Sequence, residues 1–326
     1  MDLTNDQQRL VGMIDARLEG RWNDAYRIAS EELVRDPTDG WQRYQLIVSA
    51  VLANRPLAAV GAYNGIEWDP LTPGQPRFGA IENICDALHM LGRYDEEFTL
   101  VRDALAAGPL HSVGRPSQSV QLRPLAALGR IDEINRVVDE ILLIPESGTF
   151  DWNLMISVAN ELRVHGFPEA GQAMAERAVA WFENNPEVPK RVYYSMCLMN
   201  AGRVDAAWTI IENLLPEFPD HQFFLTTAGV CAAQLGDRAK AIEFEELIVE
   251  LGEADLQTDG FLGYHGVVPY RRARIAAQLG EHDRAISLLQ QAVTDGFSNY
   301  LLIHREPNFE PLWDDPEFQE ILRPKG

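Results

Sequence analysis

Gly202-Arg-Val-Asp-Ala-Ala-Trp-Thr-Ile-Ile-Glu-Asn-Leu-Leu215, with Pro219 shortly after it, is the stretch on which the reading of the fold turns. Glycine tolerates a positive φ, so Gly202 can end one helix and let the chain reverse. The residues that follow carry an amphipathic helical pattern, and a proline just past a helix prevents its continuation. The same word recurs along the chain. It reads Gly20-Arg-Trp-Asn-Asp-Ala25, Gly92-Arg-Tyr-Asp-Glu-Glu97, Gly129-Arg-Ile-Asp-Glu-Ile134, Gly166-Phe-Pro-Glu-Ala170, Gly236-Asp-Arg-Ala-Lys-Ala241 and Gly280-Glu-His-Asp-Arg-Ala285. Successive glycines stand 72, 37, 37, 36, 34 and 44 residues apart, a period that signals a repeat architecture before any local reading.

Upstream of each glycine lies a second apolar pattern. Leu225, Ala228, Gly229 and Ala232 fall at i, i+3, i+4 and i+7, as do Ile81, Ile84, Cys85 and Leu88. That spacing marks one face of an α-helix. The unit is therefore a helix, a tight turn, a second helix and a link, with Pro37, Pro109 and Pro219 each 17 residues after their glycine. The first interval is close to twice the others, which places a missing copy near residue 56. Leu52-Ala-Asn54-Arg-Pro-Leu-Ala-Ala59 stands there, with asparagine, the next residue to accept the left-handed conformation, at the glycine position. The expectation is an all-α solenoid of about eight helical hairpins.

These residues resemble the tetratricopeptide repeat (TPR) family, in which a turn glycine is followed by a small residue five positions on, another twelve on, and a closing proline. Gly20, Ala25 and Pro37; Gly92, Ala104 and Pro109; Gly202, Ala207 and Pro219; and Gly280, Ala285 and Ala292 carry the likeness. Glu97 and Ile134 depart from it by replacing the small turn residue. The resemblance implies an α-α superhelix over about residues 5–295, within a single domain spanning 1–326. The last segment, Asp295-Gly-Phe-Ser-Asn-Tyr through Glu320-Ile-Leu322, is similar to the end of bacterial TPR regions that follow protein-kinase, adenylate-cyclase or winged-helix domains. It reads as a cap over about 296–326, with Phe309, Leu312, Trp313 and Phe318 covering the last hairpin and charged residues facing water.

The resemblance also sets which positions line the concave wall. They are Tyr44, Glu82, Asn83, Asp86, His89, Arg123, Trp152, Tyr193, Asn200, Tyr270, Arg271 and Arg274. Aromatics, amides and arginines in such a stripe suit a bound peptide: rigid contact area, pairing to peptide groups, and forked contact to carboxylates. The Lys/Asn/Asn/Lys/Arg clamp that holds a terminal carboxylate in peptide-binding members is not found. Glu82, Asp86 and His89 share a face at i, i+4 and i+7, but one helix cannot surround an ion, so no metal is expected. No His-Glu-x-x-His set, Gly-x-Ser-x-Gly elbow or phosphate loop occurs, and neither a catalytic site nor a cofactor is expected.

Composition narrows the partners. Hydrophobic residues make up 46% and charged residues 24% of the chain, an ordinary globular balance. With 49 acidic against 28 basic residues the net charge is −21, which argues against a nucleic-acid partner and for a soluble monomer. No apolar run reaches a membrane span, and the amino terminus lacks the pattern of a secretion signal. Cys85, Cys197 and Cys231 read as free buried thiols, which points to the cytoplasm. Three links rich in proline or glycine, 69–77, 108–117 and 252–266, stand out as long loops. The leading expectation is a scaffold or adaptor that binds a peptide or partner protein in its groove without catalysis. The alternatives are a sensory or regulatory module of a larger signalling or transcription protein, and an enzyme built on a helical scaffold.

Overall fold

A computed structural model of the chain describes residues 4–63, 77–107, 117–144, 151–185, 192–252 and 265–326. The three long links fall mostly outside these residues. Sixteen helices pair in sequence order into eight hairpins. They are α1 (Asn5–Leu18) with α2 (Trp22–Arg35), α3 (Gly40–Leu52) with α4 (Pro56–Tyr63), α5 (Arg77–Met90) with α6 (Tyr94–Ala106), and α7 (Leu122–Ala127) with α8 (Ile131–Leu142). The series continues with α9 (Asp151–Val164) and α10 (Pro168–Asn184), α11 (Val192–Asn200) and α12 (Val204–Leu214), α13 (Gln222–Gln234) and α14 (Arg238–Leu251), and α15 (Val267–Gln278) and α16 (His282–Thr294). Then come α17 (Tyr300–Arg305), a 3-10 turn over Pro307–Leu312, and α18 (Pro316–Leu322). Among the described residues there is no β-strand. The architecture is an all-α solenoid of helical hairpins.

The turns show why the sequence word works. Asn54 takes φ of +56°, beside Gly20 at +67° and Gly202 at +74°. At each of the eight turns the next residue's N–H donates to a carbonyl five positions back. Examples are Arg21 to Ala16 at 2.8 Å, Arg55 to Ala50 at 2.7 Å and Arg203 to Leu198 at 2.8 Å. This bond satisfies a carbonyl that the helix end would otherwise orphan. Five positions past the turn the second helix presses on the first. Ala25, Ala207, Ala241 and Ala285 are fully buried there, and Glu97 and Ile134 sit equally deep in the same slot.

Each hairpin leaves an apolar side that its neighbour covers. One continuous core runs from Leu122 on α7 to Ile275 on α15, and smaller cores fill the first hairpins and the last. The three cysteines lie in the first helices α5, α11 and α13 and are buried and free. No described helix is long and apolar enough to cross a membrane.

The carboxyl segment partly matches its expectation. Phe309, Leu312 and Phe318 are fully buried against α15 and α16, and Trp313 packs beside them. Its charged residues do not all face water. Glu306 is 7% exposed and accepts from the Tyr270 hydroxyl at 3.0 Å, while Arg305 reaches Glu161 of α9 at 3.6 Å. The segment caps the last hairpin and turns back inside the superhelix, because its polar groups find partners on the concave wall.

The array also closes on itself. Trp22 Nε1–H donates to the Gly296 carbonyl at 2.5 Å, and His265 Nε2 bonds the Leu18 carbonyl at 2.5 Å. Glycine stands against glycine at this seam. A Cβ on Gly296 would lie 2.9 Å from the Gly20 Cα, closer than real side chains approach. Asn54 adds a second tie: its amide donates to the Arg323 carbonyl at 2.9 Å, and its own carbonyl accepts from Lys325 N–H at 2.7 Å.

Candidate functional site

The returning carboxyl segment leaves a half-open chamber of about 680 Å³ on the concave side. Its wall is built from first helices: Asn153, Ser157, Asn160 and Arg163 of α9, Met196 and Asn200 of α11, Thr227 and Gln234 of α13, and Arg274 and Gln278 of α15. Its roof is Leu302 to Pro311 of the carboxyl segment, including Arg305, Glu306, Asn308 and Glu310. The helical period brings residues 153, 157 and 160 to one face of α9. Arg163 is held by Asn200, donating to its side-chain oxygen at 3.2 Å and its carbonyl at 2.6 Å. Gln278 donates to the Asn308 carbonyl at 2.8 Å and so fastens roof to wall. Asn160 Oδ1 is buried and has no hydrogen-bond partner among the described residues.

Beside the chamber lies a compact polar cluster. His89 at the end of α5 is 3% exposed, and its Nδ1 stands 2.7 Å from Glu97 Oε2. Its Nε2 stands 2.7 Å from Glu161 Oε1 and 3.3 Å from His165 Nε2. His304 of α17 completes the group, its ring centroid 5.5 Å from that of His165. Glu97 also accepts from Arg123 Nε at 2.8 Å, and the same guanidinium bonds Asp86. Burial opposes charge on His89, but its bonds to Glu161 and Glu97 outweigh that, so the imidazole keeps its proton above the ordinary histidine range. Burial would raise Glu161, yet bonds from His165 and His89 hold it well below the usual carboxylate range. For His304 burial outweighs the pull of the Glu161 carboxylate and pushes it down to about 4.

The residues expected on one concave stripe occupy several places. Asp86, His89 and Arg123 join the polar cluster, whereas Glu82 on the same helix is exposed. Asn200 and Arg274 line the chamber. Trp152 and Tyr193 stack on each other, 4.7 Å between centroids, with Tyr193 45% exposed and Trp152 also against Phe182. Tyr44 packs near Trp41 and the backbone of Gly79. Asn83 donates to the Gly79 carbonyl of its own helix, and Arg271 bonds Gln222. Tyr270 is in the core, 4% exposed and stacked on Phe297 at 4.4 Å, so its ring does not face the groove. Glu97, Glu161, His165 and His304 escape the sequence reading. The one visible signal is Glu97, a carboxylate where the repeat calls for a small residue.

No family model matches the chain, and no curated protein does. Solved structures do. The crystal structure of the pentatricopeptide repeat protein PPR10 from maize gives a TM-score of 0.43 at 12% identity, over 94% of this chain and 50% of that one. The APC/C hetero-tetramer Cut9–Hcn1 gives 0.33 at 13% identity, over 98% of this chain and 71% of that one. The TPR domain of P58(IPK) gives 0.30 at 15% identity, over 98% and 96%. The chain spans half the length of the maize protein.

Proposed function

We propose that the protein is a non-catalytic interaction scaffold whose chamber receives a short polar peptide segment of a partner protein. The observation that carries this reading is the chamber itself, a half-open space of about 680 Å³ walled by Asn153, Asn160, Asn200, Gln234 and Gln278. Side-chain amides offer a donor and an acceptor each, the complement of a peptide group. The volume falls within the roughly 300–1,000 Å³ of small-ligand sites, which suits a few residues and not a long extended chain. Asn160 Oδ1, buried with no hydrogen-bond partner among the described residues, is placed to accept an N–H of such a segment. The exposed Tyr193, stacked on Trp152, extends the contact surface beyond the chamber.

A displayed random-peptide library, followed by titration of the selected peptides, tests the reading. Peptides are expected to bind the full chain and to lose about 5- to 150-fold with Asn160→Leu, since a lost hydrogen bond to a buried group is worth about 1–3 kcal/mol. The variant should keep its melting temperature, because it removes an unpaired buried polar atom. Failure to select any peptide, or equal binding by the variant, overturns the proposal. The roof favours one second reading, a regulatory module that encloses a small polar molecule. Saturable uptake of such a molecule with no peptide binding would support it instead.

A further inference from the structure

We propose that His89, His165, His304 and Glu161 bind one divalent transition-metal ion of the Zn²⁺ class, tying the third and fifth hairpins to the carboxyl segment. Nothing in this inference depends on the peptide chamber.

Ring nitrogens of the three histidines lie within 4.8 Å of one another. They come from α5, the end of α9 and α17, so three elements surround the point that a single helix could not. His89 Nε2 and His165 Nε2 are 3.3 Å apart, as are His165 Nε2 and Glu161 Oε1. Zinc–nitrogen bonds of about 2.05 Å in a tetrahedron put ligand atoms about 3.3 Å from each other, so two edges of the polyhedron are already set. The 2.7 Å edge between His89 Nε2 and Glu161 Oε1 is a proton-sharing distance and must open by about 0.6 Å around an ion.

The surroundings fix the ligands. Glu97 receives His89 Nδ1–H at 2.7 Å, so that Nε2, once an ion displaces the proton it shares with Glu161 Oε1, offers its lone pair to the centre, the carboxylate–histidine–metal arrangement. Arg123 holds the other Glu97 oxygen at 2.7 Å, and Arg305 approaches Glu161 Oε2 at 3.6 Å, which leaves Glu161 Oε1 to the ion. Tyr94 packs its ring 4.9 Å from both His89 and His165 and limits water. Imidazole donors select Zn²⁺ and its neighbours over Mg²⁺ and Ca²⁺, which take oxygen ligands.

The test uses the full chain, stripped with a chelator and then equilibrated with Zn²⁺ or Co²⁺. One equivalent of Zn²⁺ should survive gel filtration, and Co²⁺ should give the strong visible bands of a tetrahedral site. Zn²⁺ affinity, measured against a chromophoric chelator, should fall about 100-fold or more in His304→Ala and in His165→Ala. Glu97→Gln should weaken it about 10- to 100-fold, and the exposed His221→Ala should leave it unchanged. Circular dichroism confirms that each variant is folded. Should neither ligand variant fold, the Co²⁺ spectrum of the unaltered chain decides. Absence of a stoichiometric ion, the weak bands of octahedral Co²⁺, or retention unchanged in a folded His304→Ala would overturn the proposal. In that event the cluster holds protons only.

Discussion

Asn54 shows how much one position carries. It replaces glycine at a turn, adopts φ of +56° with no exposure, and ties the backbone on both sides of Pro324, at Arg323 and Lys325. Asn54→Ala keeps neither favour: the left-handed conformation costs a Cβ-bearing residue about 1–2 kcal/mol, and the lost amide bond about 1 kcal/mol more. Asn54→Gly forfeits only the bond. Urea unfolding should therefore rank alanine below glycine by about 1–2 kcal/mol; equal loss would mean that the backbone conformation is not what Asn54 supplies. The turn itself was readable from spacing and from the known tolerance of asparagine. Its grip on Arg323 was not, because a contact 269 residues away leaves no local pattern. His165 and His304 were hidden for the same reason: each is an ordinary polar residue until the fold sets it beside His89.

At the scale of elements, α5, α6 and α7 are joined by a polar tie where a conventional repeat packs apolar atoms. Glu97, fully buried in the slot of a small residue, is shared between His89 and Arg123. Removing one partner of a buried pair strands the other, at about 3 kcal/mol or more. Arg123→Ala should lower the midpoint of urea unfolding by that equivalent without altering the slope. A change below about 1 kcal/mol would show that His89 alone satisfies the carboxylate. The helices were legible here because the 3.6-residue period survives substitution. Ile81, Ile84, Cys85 and Leu88 were expected on one apolar face and are all buried. The concave stripe was less legible. Helical phase says which way Tyr270 points, but not that Phe297 and Glu306 return to cover it.

Over the whole molecule, hairpin-to-hairpin packing would permit an open spiral, and the seam makes it compact. A chain of 326 residues at globular density has a radius of gyration of about 20 Å. Small-angle scattering should give a value near that. Trp22→Phe deletes the bond to the Gly296 carbonyl while keeping the ring, so it should loosen the seam and raise the radius with helicity unchanged. A profile identical to the unaltered chain would show that His265 and the tie at Asn54 suffice. The periodicity of the sequence foretold about eight hairpins, and the likeness of its last segment a terminal cap. Closure could not be foretold, since it depends on the accumulated angle of eight small rotations, each set by side-chain packing.

The glycine-to-glycine contact between Gly20 and Gly296 bears on how such a gene can change. Open arrays gain or lose a copy by duplication or deletion and remain whole, since every unit touches only its neighbours. Here an extra copy would push the two margins apart, and a missing one would drive them into collision. The geometry thus fixes the tally of hairpins as an integer, and relatives that keep this seam should diverge by point substitution and loop length far more readily than by copy number.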